Sequence, residues 1–175
     1  MAVTALLALL IPVGYYSARR SQAELEREQQ ERRLRTIAEI RSGRGDVMIW
    51  DAELLEMLVD DPQCVQTVTS IHFFMADLGD PRFRRVREFE NVNNIGFYDC
   101  GNADNVIVAA KDMASIESLF FEVTRISSES LKSLAAFPNL KKVRFEQVVA
   151  DETIDELSRL LPDVAVEAPF PASSP

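Results

Sequence analysis

The sequence predicts an α/β fold in which one strand and one helix recur every 24 residues and stack into a short solenoid of about four repeats. Three observations support this prediction. Apolar residues return at a constant spacing, each copy contains a short alternating segment typical of a half-buried strand, and a helix-spaced apolar set follows it. We expect an N-terminal transmembrane or amphipathic helix to precede the repeats.

Composition limits the possible classes of protein. The chain has 175 residues, a hydrophobic fraction of 47% and a net charge of −9, which suit a single globular domain. Six Gly and eight Pro exclude collagen-like and wholly disordered chains, and two Cys exclude a disulfide scaffold. One His argues against a multi-histidine metal site. Residues 46–175 carry 11 basic and 23 acidic side chains, a net charge of −12 that repels nucleic acid.

The N-terminal segment, residues 1–18, contains no charged side chain and is followed at once by Arg19 and Arg20. About 17 apolar residues are just long enough to span a bilayer, and Tyr15 and Tyr16 lie where an interfacial aromatic belt is expected. We therefore predict that residues 2–18 contact the membrane as a single-pass anchor. A cleaved secretory signal, which would make the protein secreted or periplasmic, and a core helix are the alternatives.

The next segment, residues 19–45, is predicted to be a charged juxtamembrane helix that stops at Gly43 and Gly45. Its capping-box spacing at Ser21 and Glu24 leaves open whether this helix starts anew there. A solvated spacer is the main interpretation, and a self-associating coiled coil is the alternative. The excess of Arg directly after the apolar segment places the C-terminal domain in the cytoplasm.

Four apolar registers recur at the 24-residue spacing from residue 65 onwards. The first holds Val65, Phe89, Met113, Phe137 and Leu161. The second holds Val68, Val92, Ile116, Leu140 and Val164. The third holds Ile71, Ile95, Leu119 and Val143, and the fourth holds Phe73, Phe97, Phe121 and Phe145. Val47 and Ile49 lie one repeat spacing upstream of Ile71 and Phe73, which predicts a partial leading copy.

The helical part of each copy follows its strand. Helix-spaced apolar sets are found after Asp80-Pro81, after Ser127 and after Asp151. Their members are Phe83, Val86 and Phe89; Leu131, Leu134 and Phe137; and Ile154, Leu157 and Leu160. Neither a lone strand nor a lone helix can bury its apolar side here, so the copies must stack. We expect the four Phe of the last register to form an internal column.

The copy from Ile116 to Leu140 resembles a leucine-rich repeat, L-x-x-L-x-L-x-x-[N/C/T]-x-L. Phe137-Pro138 and Leu161-Pro162 are similar to the Leu-Pro that precedes the strand in the short bacterial form. The resemblance covers roughly residues 65–166. It implies that the ninth place of each copy bonds the loop backbone. The residues at that place are Ala76, Cys100, Thr124 and Val148.

The resemblance also implies that partners bind the outer strand face, the concave side made by strand residues that point away from the core. The candidate partner-binding residues on it are His72, Phe74, Tyr98, Phe120, Glu122 and Arg144. Exposed aromatic rings flanked by charges are typical of interface hot spots. Two alternatives remain: a helix over residues 51–60 or the juxtamembrane helix covers these rings, or the face has no role.

The sequence thus predicts a membrane-anchored protein-interaction module made of a repeat domain, residues 46–167, and a disordered tail, residues 168–175. No catalytic motif, metal site or cofactor site is predicted, and the protein is expected not to be an enzyme. A structural, self-associating membrane protein is the alternative. The cluster Arg82, Arg84, Arg85 and Arg87 is interpreted as a solvated helix face, with a lipid or acidic-partner patch as its alternative.

Overall fold

The repeat produces a six-stranded sheet in which every strand is parallel to its neighbours, in the order β1-β2-β3-β4-β5-β6. The strands of this computed structural model are β1 Asp46–Ile49, β2 Ser70–Phe74, β3 Asn94–Tyr98, β4 Ser118–Glu122, β5 Lys142–Phe145 and β6 Ala165–Glu167. The structure describes the backbone of residues 2–146 and 151–168, and the side chains of residues 22–146 and 154–168. The predicted α/β class is confirmed.

Strand pairing follows the 24-residue spacing in four of the five steps. Asp46 lies beside Ser70, Ser70 beside Asn94, and the same offset continues through Lys142. The predicted leading copy is therefore present as β1. The last step is one residue shorter, since Lys142 pairs with Ala165. Adjacent strand residues point to opposite faces, so this shortening places Val166 beside the buried Val143 instead of the charged Glu167.

The predicted Phe column is confirmed. The rings of Phe73 and Phe97 have centroids 5.7 Å apart, those of Phe97 and Phe121 5.0 Å, and those of Phe121 and Phe145 5.2 Å. All three pairs are stacked, and every ring is at most 2% exposed. The separation follows from the strand spacing of about 4.8 Å, which brings equivalent side chains into contact. The edge of Phe83 packs against Phe73, so the column also contacts the helical layer.

Helix α1 precedes β1, and the other helices occupy the connections between strands. They are α1 Ala2–Arg41, α2 Ala52–Val59, α3 Pro62–Thr67, α4 Asp104–Ala110, α5 Ser128–Ser133 and α6 Asp151–Leu160, with 3-10 helices at Pro81–Glu88 and Leu134–Ala136. The predicted caps are present, because Asp80 accepts a hydrogen bond from the Arg82 N–H and Ser127 from the Ser130 N–H. The apolar residues after Pro81 are spaced by three, which is the period of a 3-10 helix.

One predicted core position is wrong. Leu160 is 41% exposed, whereas Leu157 and Leu161 are buried. Residues four apart share one face of a helix, so Leu157 and Leu161 point inward together at the end of α6. The backbone N–H of Leu161 donates to the carbonyl of Leu157 at 2.8 Å, which extends the helical turn to that residue.

Strands β2, β3 and β4 are each followed by a residue with left-handed backbone. These residues are Met75, Asp99 and Val123, with φ of 52°, 51° and 47°, and they recur at the spacing of the repeat. The N–H groups of the first two continue the ladder, since Met75 donates to the Tyr98 carbonyl and Asp99 to the Glu122 carbonyl, both at 2.9 Å. The repeated copies therefore share backbone conformation as well as apolar positions. Val123 is β-branched and still adopts the left-handed region, which such residues rarely occupy.

The ninth-place side chains of two copies contact the loop backbone. The Thr124 hydroxyl donates to the Glu122 carbonyl at 2.9 Å and accepts from the Cys100 N–H at 3.3 Å. The Cys100 sulfur lies 3.5 Å from the carbonyl oxygen of Phe73. Cys100 and Thr124 are both buried, so these contacts satisfy polar groups away from water. Ala76 has no polar side-chain atom to contribute, and Val148 lies outside the described residues.

The chain forms two compact units, residues 1–38 and 39–175. Helix α1 runs without a break past Ser21 and ends at Arg41, with Gly43 in the left-handed region at φ 104°. No helix within the described residues combines the length and apolar character needed to cross a membrane. The predicted membrane contact of residues 2–18 concerns side chains outside the described part, and residues 169–175 of the predicted disordered tail also lie outside it.

Candidate functional site

The outer strand face is built from alternate residues of neighbouring strands. One row across the sheet contains His72, Gly96, Phe120 and Arg144, because the pairing aligns these positions. The next row contains Phe74, Tyr98 and Glu122. All six predicted partner-binding residues therefore lie on one face of the sheet, opposite the Phe column. The geometry brings them together on one surface.

Aromatic side chains form a continuous strip across this face. The ring centroids of His72 and Tyr98 are 5.7 Å apart, and those of Tyr98 and Phe120 are 5.0 Å apart. The guanidinium carbon of Arg144 lies 5.7 Å from the centroid of Phe120, within the range of a cation–π contact. Phe74, at the carboxyl end of β2, is 41% exposed. The strip spans β2 to β5 and presents ring surface to solvent.

Gly96 makes the strip possible. A Cβ atom at this position would lie 2.7 Å from Tyr98 Cε2 and 2.8 Å from His72 Nδ1. Real Cβ atoms do not approach other atoms this closely, so both rings would have to move. The absence of a side chain at Gly96 thus lets the Tyr98 ring lie close to the sheet between His72 and Phe120.

His72 is the most constrained polar group of the strip. Its Nε2 lies 3.0 Å from the Ser70 hydroxyl oxygen, which accepts a hydrogen bond from the Asn94 amide at 2.9 Å. Its Nδ1 is buried and has no hydrogen-bond partner. Burial lowers the pKa of His72, and the Asp46 carboxylate opposes this only in part. His72 is therefore held towards its neutral form and supplies ring surface more than charge.

A shallow depression of about 400 Å³ lies over β3 to β5. Its floor includes the rings of Tyr98 and Phe120, and its other lining residues are Asn94, Ser118, Lys142, Arg144 and Glu146. The two cations are already paired, Lys142 with Glu167 at 2.9 Å and Arg144 with Glu146. Burial and the Glu122 carboxylate raise the pKa of Tyr98, so its phenol stays protonated at neutral pH.

The alternative in which a helix over residues 51–60 covers this face is wrong. Helix α2 (Ala52–Val59) packs against the 3-10 helix Pro81–Glu88, and its apolar side, including Leu54, Leu55 and Leu58, is already buried there. Helix α2 therefore belongs to the helical layer and does not cover the aromatic strip.

The arginine cluster on the 3-10 helix has mainly intramolecular partners. Arg82 contacts Asp80 at 2.6 Å and Glu53 at 3.0 Å, and Arg85 contacts Asp60 at 2.9 Å. Asp80 and Glu53 raise the pKa of the Arg82 guanidinium, and Glu88 and Asp60 raise that of Arg85. Arg84 donates to the Asn105 side-chain oxygen at 2.9 Å. Three of the four arginines thus bind groups of the same chain, which argues against a patch reserved for lipid or an acidic partner.

The sequence-based site omitted Met48. It pairs with His72 on β1 and is 50% exposed, so it extends the apolar surface beyond β2. Trp50 follows β1 and lies one repeat spacing before Phe74. The same spacing that places Val47 and Ile49 in the leading copy also indicates Met48 and Trp50, which stand one repeat before His72 and Phe74.

No protein-family model and no curated protein sequence matches this chain. Within the described residues, no three His, Cys, Asp or Glu side chains are grouped so that they could hold a metal ion.

Proposed function

We propose that this protein is a non-enzymatic interaction module: a short leucine-rich-repeat solenoid that binds a protein partner on its outer strand face and is anchored to a membrane by residues 2–18. The single observation that carries the proposal is the aromatic strip of the half-buried His72, Tyr98 and Phe120, bounded by the exposed Phe74 and by Arg144. Rings of this kind are the usual energetic centre of protein interfaces.

Three features support the solenoid. Parallel strands follow one another in chain order at a nearly constant offset, so each copy contacts mainly its two neighbours. Equivalent Phe residues stack in one column. Cys100 and Thr124 contact the loop backbone at the place where the resembled repeat keeps a bonding residue.

The energetic argument for a partner rests on cost. Contact between aromatic rings and water is unfavourable. Removing one ring from water at an interface contributes on the order of 1.5–3 kcal/mol to the binding free energy. The strip is preorganised, because Gly96 and the ring contacts fix its geometry before anything binds. A partner that covers Tyr98, Phe120 and Phe74 therefore gains apolar burial at little cost in ordering.

The decisive experiment is site-specific photo-crosslinking. A photoreactive phenylalanine replaces Phe74 in the full chain, and cross-linked proteins are compared with those from a chain also carrying Tyr98→Ser and Phe120→Ser. The matched control carries Val108→Ser and Leu160→Ser, which alter exposed apolar residues of the helical layer. We expect one dominant cross-linked partner that the strip variant loses and the control keeps. The purified partner should then bind the control chain as tightly as the unmodified chain and the strip variant more weakly.

Equal cross-linking by the strip variant and the control would refute the partner site. If the only adduct is a second copy of this chain, and light scattering shows an oligomer, the structural self-associating role replaces the proposal.

The anchor and its orientation need a separate test. Arg19, Arg20 and the further arginines of α1 lie just after the apolar segment, which supports a cytoplasmic C-terminal domain. Reporters active on only one side of the membrane, fused to each end of the chain, measure this directly. A C-terminal reporter active only outside the cytoplasm would overturn the orientation, and release of the chain by alkaline carbonate would overturn the anchor.

A further inference from the structure

We propose that the protein bound on the outer strand face presents a Lys or Arg flanked by apolar residues, and that the carboxylates of Asp99 and Glu122 bind this cation. This inference rests on the proposed function, because it names the chemistry of the partner at the same face. It is carried by an exposed apolar margin next to the aromatic strip and by two acidic side chains of that margin that have no ion-pair partner.

The margin lies at the carboxyl ends of β2, β3 and β4. Phe74 and Met75, at the end of β2, are 41% and 65% exposed, and Val123, directly after β4, is 63% exposed. Asp99 occupies the equivalent position between them, after β3, and is also exposed. Burial of apolar side chains of this kind is the main source of binding free energy between proteins. A partner segment therefore gains most if apolar residues cover both ends of the margin.

The centre of the margin is acidic. The Asp99 backbone N–H donates to the Glu122 carbonyl at 2.9 Å, so the two acidic residues lie on neighbouring strands at the same edge. Neither carboxylate forms an ion pair with another described residue, and the exposed Arg125, three positions after Glu122, pairs with neither. Carboxylates on neighbouring strands repel each other, and a cation bound at this edge removes that repulsion.

The other charges of the face also favour a basic partner. Its two cations are already paired, Lys142 with Glu167 at 2.9 Å and Arg144 with Glu146, so an acidic partner would have to compete for them. His72 is held towards its neutral form by burial, which lowers its pKa, and adds little positive charge. Residues 46–175 carry a net charge of −12, so the field of the whole domain attracts basic segments from solution.

The strand spacing sets the pattern that the partner must match. Met75, Asp99 and Val123 follow neighbouring strands, which lie about 4.8 Å apart. An extended segment that crosses the strands rises about 3.3 Å per residue. Apolar residues one or two positions on either side of a central Lys or Arg therefore reach Met75 and Val123 while the cation lies over Asp99.

The test selects random peptides displayed on phage against the full chain in mild detergent. The charge variant combines Glu122→Gln with Asp99→Asn, which removes both charges, and Asn tolerates the left-handed backbone at position 99. The matched control combines Glu90→Gln with Asp112→Asn, two exposed acidic residues in the loops after the 3-10 helix and α4. We expect the wild type and the control to enrich Lys or Arg one or two positions from an apolar residue, and the charge variant to lose this enrichment.

Fluorescence anisotropy then measures the affinity of the most enriched wild-type peptide. The charge variant should bind it about tenfold more weakly, because two charge pairs are lost, and the control should match the wild type. Raising the ionic strength from about 0.01 M to about 0.1 M shortens the Debye length from about 30 Å to about 10 Å. This change should weaken binding to the wild type more than binding to the charge variant. Unchanged unfolding midpoints show that the variants are folded.

Three results would overturn the inference: no enriched peptide, enriched peptides without a basic residue, or equal affinity for the wild type and the charge variant. A second copy of this chain as the occupant, seen as an oligomer that the charge variant dissociates, would also overturn it. The proposed function fails separately, if the strip variant Tyr98→Ser with Phe120→Ser binds the selected peptides as tightly as the wild type does. Loss of binding in the strip variant alone leaves the proposed function standing and removes the role of the carboxylates.

Discussion

Truncation of Phe121 tests the stacking on which the fold depends. Its ring is fully buried and lies between Phe97 at 5.0 Å and Phe145 at 5.2 Å. Phe121→Ala removes the ring and leaves a cavity that the neighbouring copies can close only in part, which costs about 3–5 kcal/mol. Phe145 is similarly buried but has one column neighbour, so Phe145→Ala spares one stacked contact, worth about 0.5–1.5 kcal/mol. The interior substitution should therefore be the more destabilising of the two.

Urea unfolding of the full chain, monitored by circular dichroism, measures how much unfolding free energy Phe121→Ala and Phe145→Ala each lose. Domains of this size are stable by about 5–15 kcal/mol, so Phe121→Ala should lower the midpoint sharply and leave the domain partly unfolded at moderate temperature. Phe121→Leu keeps most of the volume and is the control, with an expected loss below about 1.5 kcal/mol. A loss under about 1 kcal/mol for Phe121→Ala, well below the usual cost of such a cavity, or a larger loss for Phe145→Ala, would refute the continuous column.

Three further predictions concern the strip and the strand ends. Gly96→Ala should leave the unfolding free energy within about 1 kcal/mol of wild type. It should weaken partner cross-linking from position 74, because its Cβ displaces the Tyr98 and His72 rings, and an unchanged yield would contradict this. Val123→Asn should stabilise the fold by about 1 kcal/mol, since Asn tolerates left-handed backbone better than Val. The control Val108→Asn lies in helix α4 and should not stabilise it. If both variants change the thermal unfolding midpoint equally, the left-handed backbone of Val123 is not a source of strain. Burial lowers the pKa of His72, so the folded state binds fewer protons than the unfolded state, and stability should fall as the pH drops below about 6.5. In His72→Gln that dependence should be smaller, and identical pH profiles would show that His72 does not cause it.

The repeat made much of the sheet predictable from sequence. A fixed offset between Ile71, Ile95 and Leu119 requires equivalent positions to pair, and the observed register does so. Alternation then assigns Phe120 to one face and Phe121 to the other without knowledge of any contact. The residues of the outer strand face could be predicted for the same reason, since alternate residues of a strand point to the same face.

The details that the sequence did not predict depend on interactions that carry no periodic signal. The offset of 23 at β6 avoids burying Glu167, which the constant spacing would place beside Val143. The exposure of Leu160 depends on how α6 ends. The importance of Gly96 depends on where two rings come to rest, and sequence spacing says nothing about ring orientation.

The positions of the inner Phe column and of the outer aromatic strip are set by the same strand register. Phe120 and Phe121 are consecutive, so the strand spacing that stacks Phe121 on Phe97 also sets Phe120 beside Gly96 and Arg144. A single-residue insertion in β4 would exchange the faces, burying Phe120 and exposing Phe121, and would bring both rows out of register. The geometry of the candidate site is therefore fixed by the same packing that stabilises the domain. Substitutions confined to the outer row can change binding with little effect on folding, whereas a truncation in the inner column such as Phe121→Ala disturbs the strip as well.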